Sequence, residues 1–570
     1  MTDSLSDEKK AVLATTNSQE LEDSSITQPS SHDGKLSVWQ RFNKLITVTD
    51  AEGASSHRWS NPDMEPVPLE DQSWKPYHFL AYWISDSYSA SSWRIAGSFI
   101  DLGMSPGLFY GCNIIGYVLN ACVIALHGLI GSKYHIPFSV QSRASFGFYF
   151  SYVIIIMRFI VGCYYYGINA YTGAECIQTL ILSMSPNWSM KDTIPSSATT
   201  TSMMICYFIY NLICIPFHYI KAPQIRKFLV FKMITGPIVG IVLMIYLNQK
   251  AGGTTKIWSQ PNKVHGTSLR WLIVQCIATN FASYATMAVN VNDFTRYSKS
   301  KYAVVSQVYA IPVNQGILTP MGIVGGIASE IIYGEVLWDP LLIAQKWIHT
   351  PGGRVAAWFV AFSYLIAQIG INISANSISA ANDLTALFPK YVNIRRGQYI
   401  VLALGGWALC PWEVLANATT LTAFMGGYSI FLGPIAAIMI CDYFFVHKQR
   451  YDTPALYDPQ GKYKFGRLGT NWRAILPLLV GFVPLLPGLA TYINTKITMP
   501  DGVLHLYLIG YFYSFSSAFF VYYVTCYFFP PTEALSAEAV IPPHHEEDEP
   551  DYKVEGKAKL AKYILKSAVV

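Results

Sequence analysis

Two pairs of side chains, each four residues apart inside an apolar run, offer chemistry that lipid-facing helices do not need. Tyr165 and Asn169 share one helix face by that spacing, an aromatic plate beside a carboxamide. Asn372 and Asn376 repeat the spacing in Asn372-Ile-Ser-Ala-Asn376, which runs on to Asn382-Asp383. A carboxamide both donates and accepts hydrogen bonds, and a ring offers a face for stacking. Flat heterocycles with amide edges ask for that equipment. Each residue also has a plainer role: a Tyr within a span packs or sits at the interface, and an Asn there is glue between helices, worth about 0.6 kcal/mol on average. Both readings stay open for Tyr165 and Asn376. Arg158 and Lys232 read more simply as snorkelling residues or partners of a carboxylate.

The elements that position these residues follow from composition. Of 570 residues, 52% are apolar and only 13% charged, where a soluble chain carries roughly a quarter charged. The charges crowd into residues 1–75, 445–473 and 535–570. That is a lipid-embedded body between polar tails. Twelve segments are apolar over about the 20 residues a crossing requires: 77–101, 106–130, 147–183, 201–220, 227–247, 271–292, 303–333, 355–387, 398–412, 418–446, 474–494 and 504–529. Lys and Arg are richer in the loops on the tail side, such as 447–473, than in the opposite loops, so both termini are expected in the cytoplasm. No secretory signal precedes the first span.

Two spans carry polar residues through their middles, where a charge or unpaired amide in hydrocarbon is costly. Span one reads Tyr82-Trp-Ile-Ser-Asp86-Ser-Tyr-Ser-Ala-Ser-Ser-Trp93, and span six reads Asn280-Phe-Ala-Ser-Tyr-Ala-Thr-Met-Ala-Val-Asn290, then Asp293. Such stretches suit unwound helices facing a cavity. Their recurrence five spans apart predicts two inverted five-helix halves around a midplane site.

Other function classes lack support. The ten cysteines fall in apolar runs, with no CxxC pair and no metal-like grouping with His. No GxSxG, HExxH or phosphate loop argues for an enzyme. The net charge of +5 lies in loops that orient helices, so no nucleic-acid partner is expected. A channel would favour rings of like charge. A transporter-like nutrient sensor remains, because the tails are long and polar.

Longer strings carry a resemblance. Asn61-Pro-Asp-Met-Glu-Pro-Val-Pro with Trp74, Asn290-Val-Asn-Asp-Phe-Thr-Arg-Tyr297, and Asn372 to Pro389 with Asn393-Ile-Arg-Arg-Gly397 resemble the nucleobase:cation symporter family 1. Cys441-Asp-Tyr-Phe, Asp452-Thr-Pro-Ala-Leu-Tyr-Asp458 and Asn471-Trp-Arg-Ala474 are similar to its fungal branch for uracil, allantoin, uridine and thiamine. The resemblance implies an all-α membrane protein of the leucine-transporter type: a first repeat in 76–247, a second in 271–446, and two peripheral helices in 474–529 between tails 1–75 and 530–570. It implies a substrate site of Tyr165, Asn169, Tyr284 and Asn376, to which the spacing adds Asn372. It also implies import of a nucleobase-related heterocycle of the uracil or allantoin class by alternating access at the plasma membrane.

The family more usually has Trp at the place of Tyr165 and Gln at that of Asn169. The shorter amide and smaller plate make room for a nucleoside or a vitamin such as thiamine or nicotinamide riboside. The sodium-coupled relative has two hydroxyl residues where this chain has Gly370 and Ile371. Without those oxygens a hard cation lacks ligands, so the resemblance implies a proton as the coupled ion and no other cofactor. Asp86 and Asp383 are then the candidate coupling carboxylates, with a structural ion pair as each one's alternative. Phe424 and Met425 resemble the family's outer gate. Lysines in the tails are expected to be open to ubiquitin-ligase machinery.

Overall fold

A lipid-embedded chain must satisfy its backbone internally, and helices do so within one segment. The computed structural model describes residues 46–48, 59–194, 198–219, 222–407, 410–415, 418–493 and 496–542. Among them regular structure is helical, and extended pairing is limited to two isolated bridges, Trp74 with Ser298 and Asp452 with Val540. The helices belong to the unit 48–570.

Among the described residues, seven helices or helix runs are long and apolar enough to cross a bilayer: Pro106–Tyr134, Ser151–Met184, Val230–Lys250, Lys301–Tyr333, Pro351–Leu387, Gly426–Val446 and Trp472–Thr491. An eighth candidate, Asp501–Leu508 with Gly510–Phe528, is bent by 79°. The remaining predicted spans are helical but broken or short. The first is split into α1 (Pro76–Ser87) and α2 (Ala90–Asp101). After α3 (Pro106–Tyr134) and α4 (Ser151–Met184) comes α5 (Thr201–Phe217), which is brief. Next are α6 (Ala222–Lys250) and the second split span, α7 (Gly266–Ala282) with α8 (Ala285–Asn290). Then follow α9 (Gln307–Tyr333), α10 (Pro351–Ile371) and α11 (Ser379–Leu387), the last two joined by π-helical turns over Asn372–Ile378. The next helix, α12, spans Ile394–Trp407. The predicted span 398–412 overran it, because Cys410 turns left-handed at φ 44° and Pro411 starts a separate turn. The body ends with α13 (Ala418–Cys441), α14 (Trp472–Phe482) and α15 (Gly510–Phe528).

The core is apolar as in a soluble bundle, but the exterior is apolar too. Ile156 and Ile160 on α4, Ile234, Ile238, Val242 and Ile245 on α6, and Tyr309, Val313 and Ile317 on α9 form exposed apolar stripes at helical spacing. Arg94, Arg158, Asp383 and Asn120 are buried. Water would penalise such stripes, and lipid does not.

Helices α2, α3 and α6 pack on α9, with α7 on α3, while α4 packs against α5, α10, α11 and α12. Helices α13, α14 and α15 contact one another beside these groups. The α2–α9 approach depends on glycine: a Cβ on Gly325 would lie 2.1 Å from the Trp93 ring. Small residues at such crossings let dispersion act over close backbones, which is the main attraction available in lipid.

The predicted tail 1–75 is not free along its whole length. Met64 and Trp74 are buried, and Asn61 Nδ2 donates to the carbonyls of Pro389 and Val392, each at 3.0 Å. Trp74 N–H donates to Tyr297 O at 2.9 Å. At the other end Val540 N–H reaches Tyr451 O at 2.9 Å, so residues up to 540 of the predicted tail 530–570 are also tied down. Buried apolar side chains within polar stretches are the physical reason.

Candidate functional site

The two split helices meet at one cleft, as the polar residues in the middle of each span lead one to expect. The first breaks at Tyr88 and Ser89, both in extended backbone, and Ser89 Oγ caps α2 by accepting from Ser92 N–H at 3.1 Å. The second breaks at Ser283 and Tyr284, which leaves carbonyls at the end of α7 without helical partners. Asn120 Nδ2 donates to Phe281 O, and Tyr428 OH donates to Ala282 O at 2.8 Å. The first break is thus capped by its own Ser89, and the second is satisfied by side chains from two neighbouring helices, which holds it open.

The cleft is a narrow cavity of about 90 Å³. Its walls are Asp86 from α1, Ser89, Ser91, Ser92, Arg94 and Ile95 at and after the start of α2, and Tyr117 from α3. Helix α4 adds Tyr165, Ile168 and Asn169, and the second break adds Ser283 and Tyr284, followed by Thr286 and Met287. Ile371, Ala375, Asn376 and Leu415 complete it. The structure therefore brings Tyr165, Asn169, Tyr284, Asn376 and Asp86 into one cavity from four regions of the chain.

Tyr165 and Tyr284 are half-buried. The Tyr165 ring meets Tyr428 edge-on at 5.1 Å, and Tyr284 packs on Trp83 at 5.0 Å and Tyr117 at 5.6 Å. Gln315 Nε2 donates to Tyr284 OH at 3.0 Å and to Ser87 Oγ at 3.2 Å, so the phenol is held by α9 and α1 together. Asn169 Nδ2 and Asn376 Nδ2 both donate to Tyr165 O, at 3.0 and 3.4 Å. With their N–H groups turned to that carbonyl, the two amides have their oxygens left as acceptors. The cleft thus combines ring faces with acceptors, which suits a flat molecule bearing N–H groups.

Asn372 does not line the cleft. It is fully buried one turn behind, where its Oδ1 accepts from Asn376 Nδ2 at 2.9 Å and its Nδ2 donates to Tyr210 OH at 3.2 Å. The π-helical turns over Asn372–Ile378 aim Asn376 at the cleft and Asn372 at α5, a local distortion often found at functional positions. Asp383 also lies elsewhere. It is buried on α11 in an ion pair with Arg158 of α4. The side chains of Phe424 and Met425 lie outside the described residues, although both positions fall within α13.

Lys232 on α6 is 1% exposed and has no hydrogen-bond partner among the described residues. Its Nζ lies 3.4 Å from where a Cβ on Gly370 would stand, and Asp86 is the carboxylate that acts on it.

The sequence reading missed Tyr117, Gln315 and Arg94. A signal existed for Tyr117: Asn113, Tyr117 and Asn120 share one face of an apolar helix, and Asn113 Nδ2 donates to Asn280 Oδ1 at 2.8 Å. Arg94 follows the Ser-rich stretch by two residues and carried no spacing signal.

Fold and cleft together are those of a membrane transport protein. The chain belongs to the family of permeases for cytosine/purines, uracil, thiamine and allantoin, whose sequence model matches residues 66–513. It stands among transporters, not enzymes. A permease of Schizosaccharomyces pombe is 44% identical over 491 residues, covering 86% of this chain and 87% of that one. The uridine permease of Saccharomyces cerevisiae is 32% identical over 500 residues, covering 86% and 78%. Among solved structures, Mhp1, a nucleobase-cation-symport-1 family transporter in a closed conformation with bromovinylhydantoin bound, superposes with a TM-score of 0.65. It is 20% identical and covers 83% of this chain and 97% of its own, a likeness that establishes the fold alone.

Proposed function

We propose that this permease is a proton-coupled importer of a nucleobase-related heterocycle of the uracil or allantoin class. Twelve spans, ten of them forming two inverted five-helix repeats, would work by alternating access in the plasma membrane with both termini cytoplasmic. The observation that carries the reading is the convergence of Tyr165, Asn169, Tyr284 and Asn376 on one cleft between two broken helices. Substrate stacks against the two rings, and the Asn oxygens accept from its amide edge. Rocking of the first, second, sixth and seventh spans (α1, α2, α3, α7, α8 and α9) against the rest then exposes the site to the other side.

Two features support a proton over sodium. Gly370 and Ile371 bring no side-chain oxygen to the neighbourhood of the Asn-rich turns. The Lys232 amine lies against Gly370 and takes up the space there, and whenever it is charged it repels a second cation. A nucleoside is the second reading, favoured by the short Asn169 amide and the likeness to a uridine permease.

Uptake of radiolabelled uracil, allantoin, uridine and thiamine in cells lacking their own carriers tests this, with and without a proton uncoupler. One compound should accumulate, and the uncoupler should lower its uptake at least fivefold. Accumulation driven by sodium and indifferent to the uncoupler would refute the coupling. No uptake of any of them, with the protein at the surface, would refute the substrate class.

A further inference from the structure

Two carboxylates share one buried guanidinium at the edge of the cleft. Arg94 Nε donates to Asp339 Oδ2 and Nη1 to Thr172 Oγ1, each at 2.7 Å, while Nη2 meets both Asp339 and Glu175. Thr172 and Glu175 belong to α4, Arg94 to α2, and Asp339 precedes the short helix Pro340–Gln345. The cluster therefore joins three segments, and Arg94 itself forms part of the cleft wall that Tyr165 and Asn169 continue. Two acids against one base leave one negative charge over in a poorly solvated place, an arrangement that readily accommodates a proton.

The two acids are not equivalent. Asp339 has both oxygens engaged, since Oδ1 accepts from Leu341 N–H at 2.8 Å and Oδ2 takes Arg94, and its side chain is 4% exposed. Glu175 receives a donor only from Arg94 Nη2 among the described residues, and its side chain is 22% exposed. Glu175 is therefore the more accessible of the two acids, and Asp339 the more enclosed. The other groups facing the cluster are Tyr171 and Cys176 of α4 and Tyr364 of α10, with Glu413 acting on Tyr171. Arg94 and Asp339 are the charges that act on Glu175 itself.

We propose that Glu175 binds the proton that drives uptake, and that its ionisation sets how firmly α4 is held to α2 through Arg94. As the anion it completes the bridge. Once neutral it leaves Arg94 to Asp339, and the wall bearing Tyr165 and Asn169 is held to α2 at this point by the Thr172 hydrogen bond alone and shifts more easily. This rests on the proton-coupled reading above and assigns the coupling to a residue distinct from Asp86 and Asp383.

The test is uptake by the full chain in cells, using whichever of uracil, allantoin, uridine and thiamine the wild type accumulates, at external pH 5 to 7.5. Glu175→Gln should lose the pH and uncoupler dependence, its ratio of uptake between the two pH limits falling to about 1 because the protonated form is mimicked throughout. Asp339→Asn gives Glu175 sole use of Arg94, which favours the anion. The pH of half-maximal uptake should then move down by about one unit. Either variant retaining the wild-type profile overturns the proposal. So does loss of uptake in both with the protein at the surface, which would make the cluster structural. A wild type indifferent to pH and uncoupler would instead sink the coupled-ion reading, and this inference with it.

Discussion

Replacing Asn376 by Ala separates the site from its scaffold. The substitution deletes one acceptor oxygen of the cleft and the 2.9 Å bond to Asn372. On the binding side, a substrate N–H that met Asn376 Oδ1 is left facing a methyl group. An unpaired donor in a dry site costs about 1–3 kcal/mol. At about 1.4 kcal/mol per tenfold, KM should rise about 5- to 150-fold. On the folding side, Asn372 Oδ1 loses its donor while fully buried, which costs the folded carrier about 1–3 kcal/mol in every state. That second loss lowers the amount of protein and leaves affinity alone, so the two effects part experimentally. Uptake is measured against substrate concentration and normalised to surface protein quantified through a fluorescent tag. A KM within twofold of wild type at comparable surface density would remove Asn376 from the substrate site.

Two further substitutions probe the frame. Asp383→Ala leaves the Arg158 guanidinium buried without its ion-pair partner, and the solubilised protein should lose about 3–5 kcal/mol of stability. Its unfolding temperature is the measurement, and an unchanged value would mean that solvent reaches this pair. Gly325→Val places a Cβ within 2.1 Å of the Trp93 ring. Because Trp93 is wedged between α2 and α9, the variant should fail to reach the cell surface, and full surface expression would show that the α2–α9 crossing is looser than drawn.

Much of the cleft was legible because its parts are locally abnormal. Five serines and Asp86 inside span one, and the polar run from Asn280 to Asn290 in span six, are poor lipid-facing helix, and each break falls within the stretch so marked. Tyr165 with Asn169 declared itself through spacing on one helix face, and both line the cleft. Spacing could not separate Asn376 from Asn372, however. Side chains four apart share a face of a regular helix, whereas π-helical turns here send one to the cleft and the other to Tyr210. Asp383 looked equal to Asp86 in sequence, since both are acids inside apolar runs. The difference is a partner 225 residues away, Arg158, which a linear reading sees only as another charge in a span.

What the sequence determined by itself is the kind of solvent and the kind of element. Paucity of charge and long apolar runs dictate lipid, and lipid dictates helices with internally satisfied backbones. The interruptions in those runs dictate where helices part. Tertiary structure alone decided which of the resulting polar groups face one another. Gln315 steadies Tyr284, Tyr428 occupies the carbonyl freed at Ala282, and Arg94 gathers Glu175 and Asp339. The physical reason is that helical periodicity assigns a side chain to a face within one element, while its partner depends on crossing geometry. That geometry is set by close contacts such as Gly325 on Trp93, which no local pattern encodes.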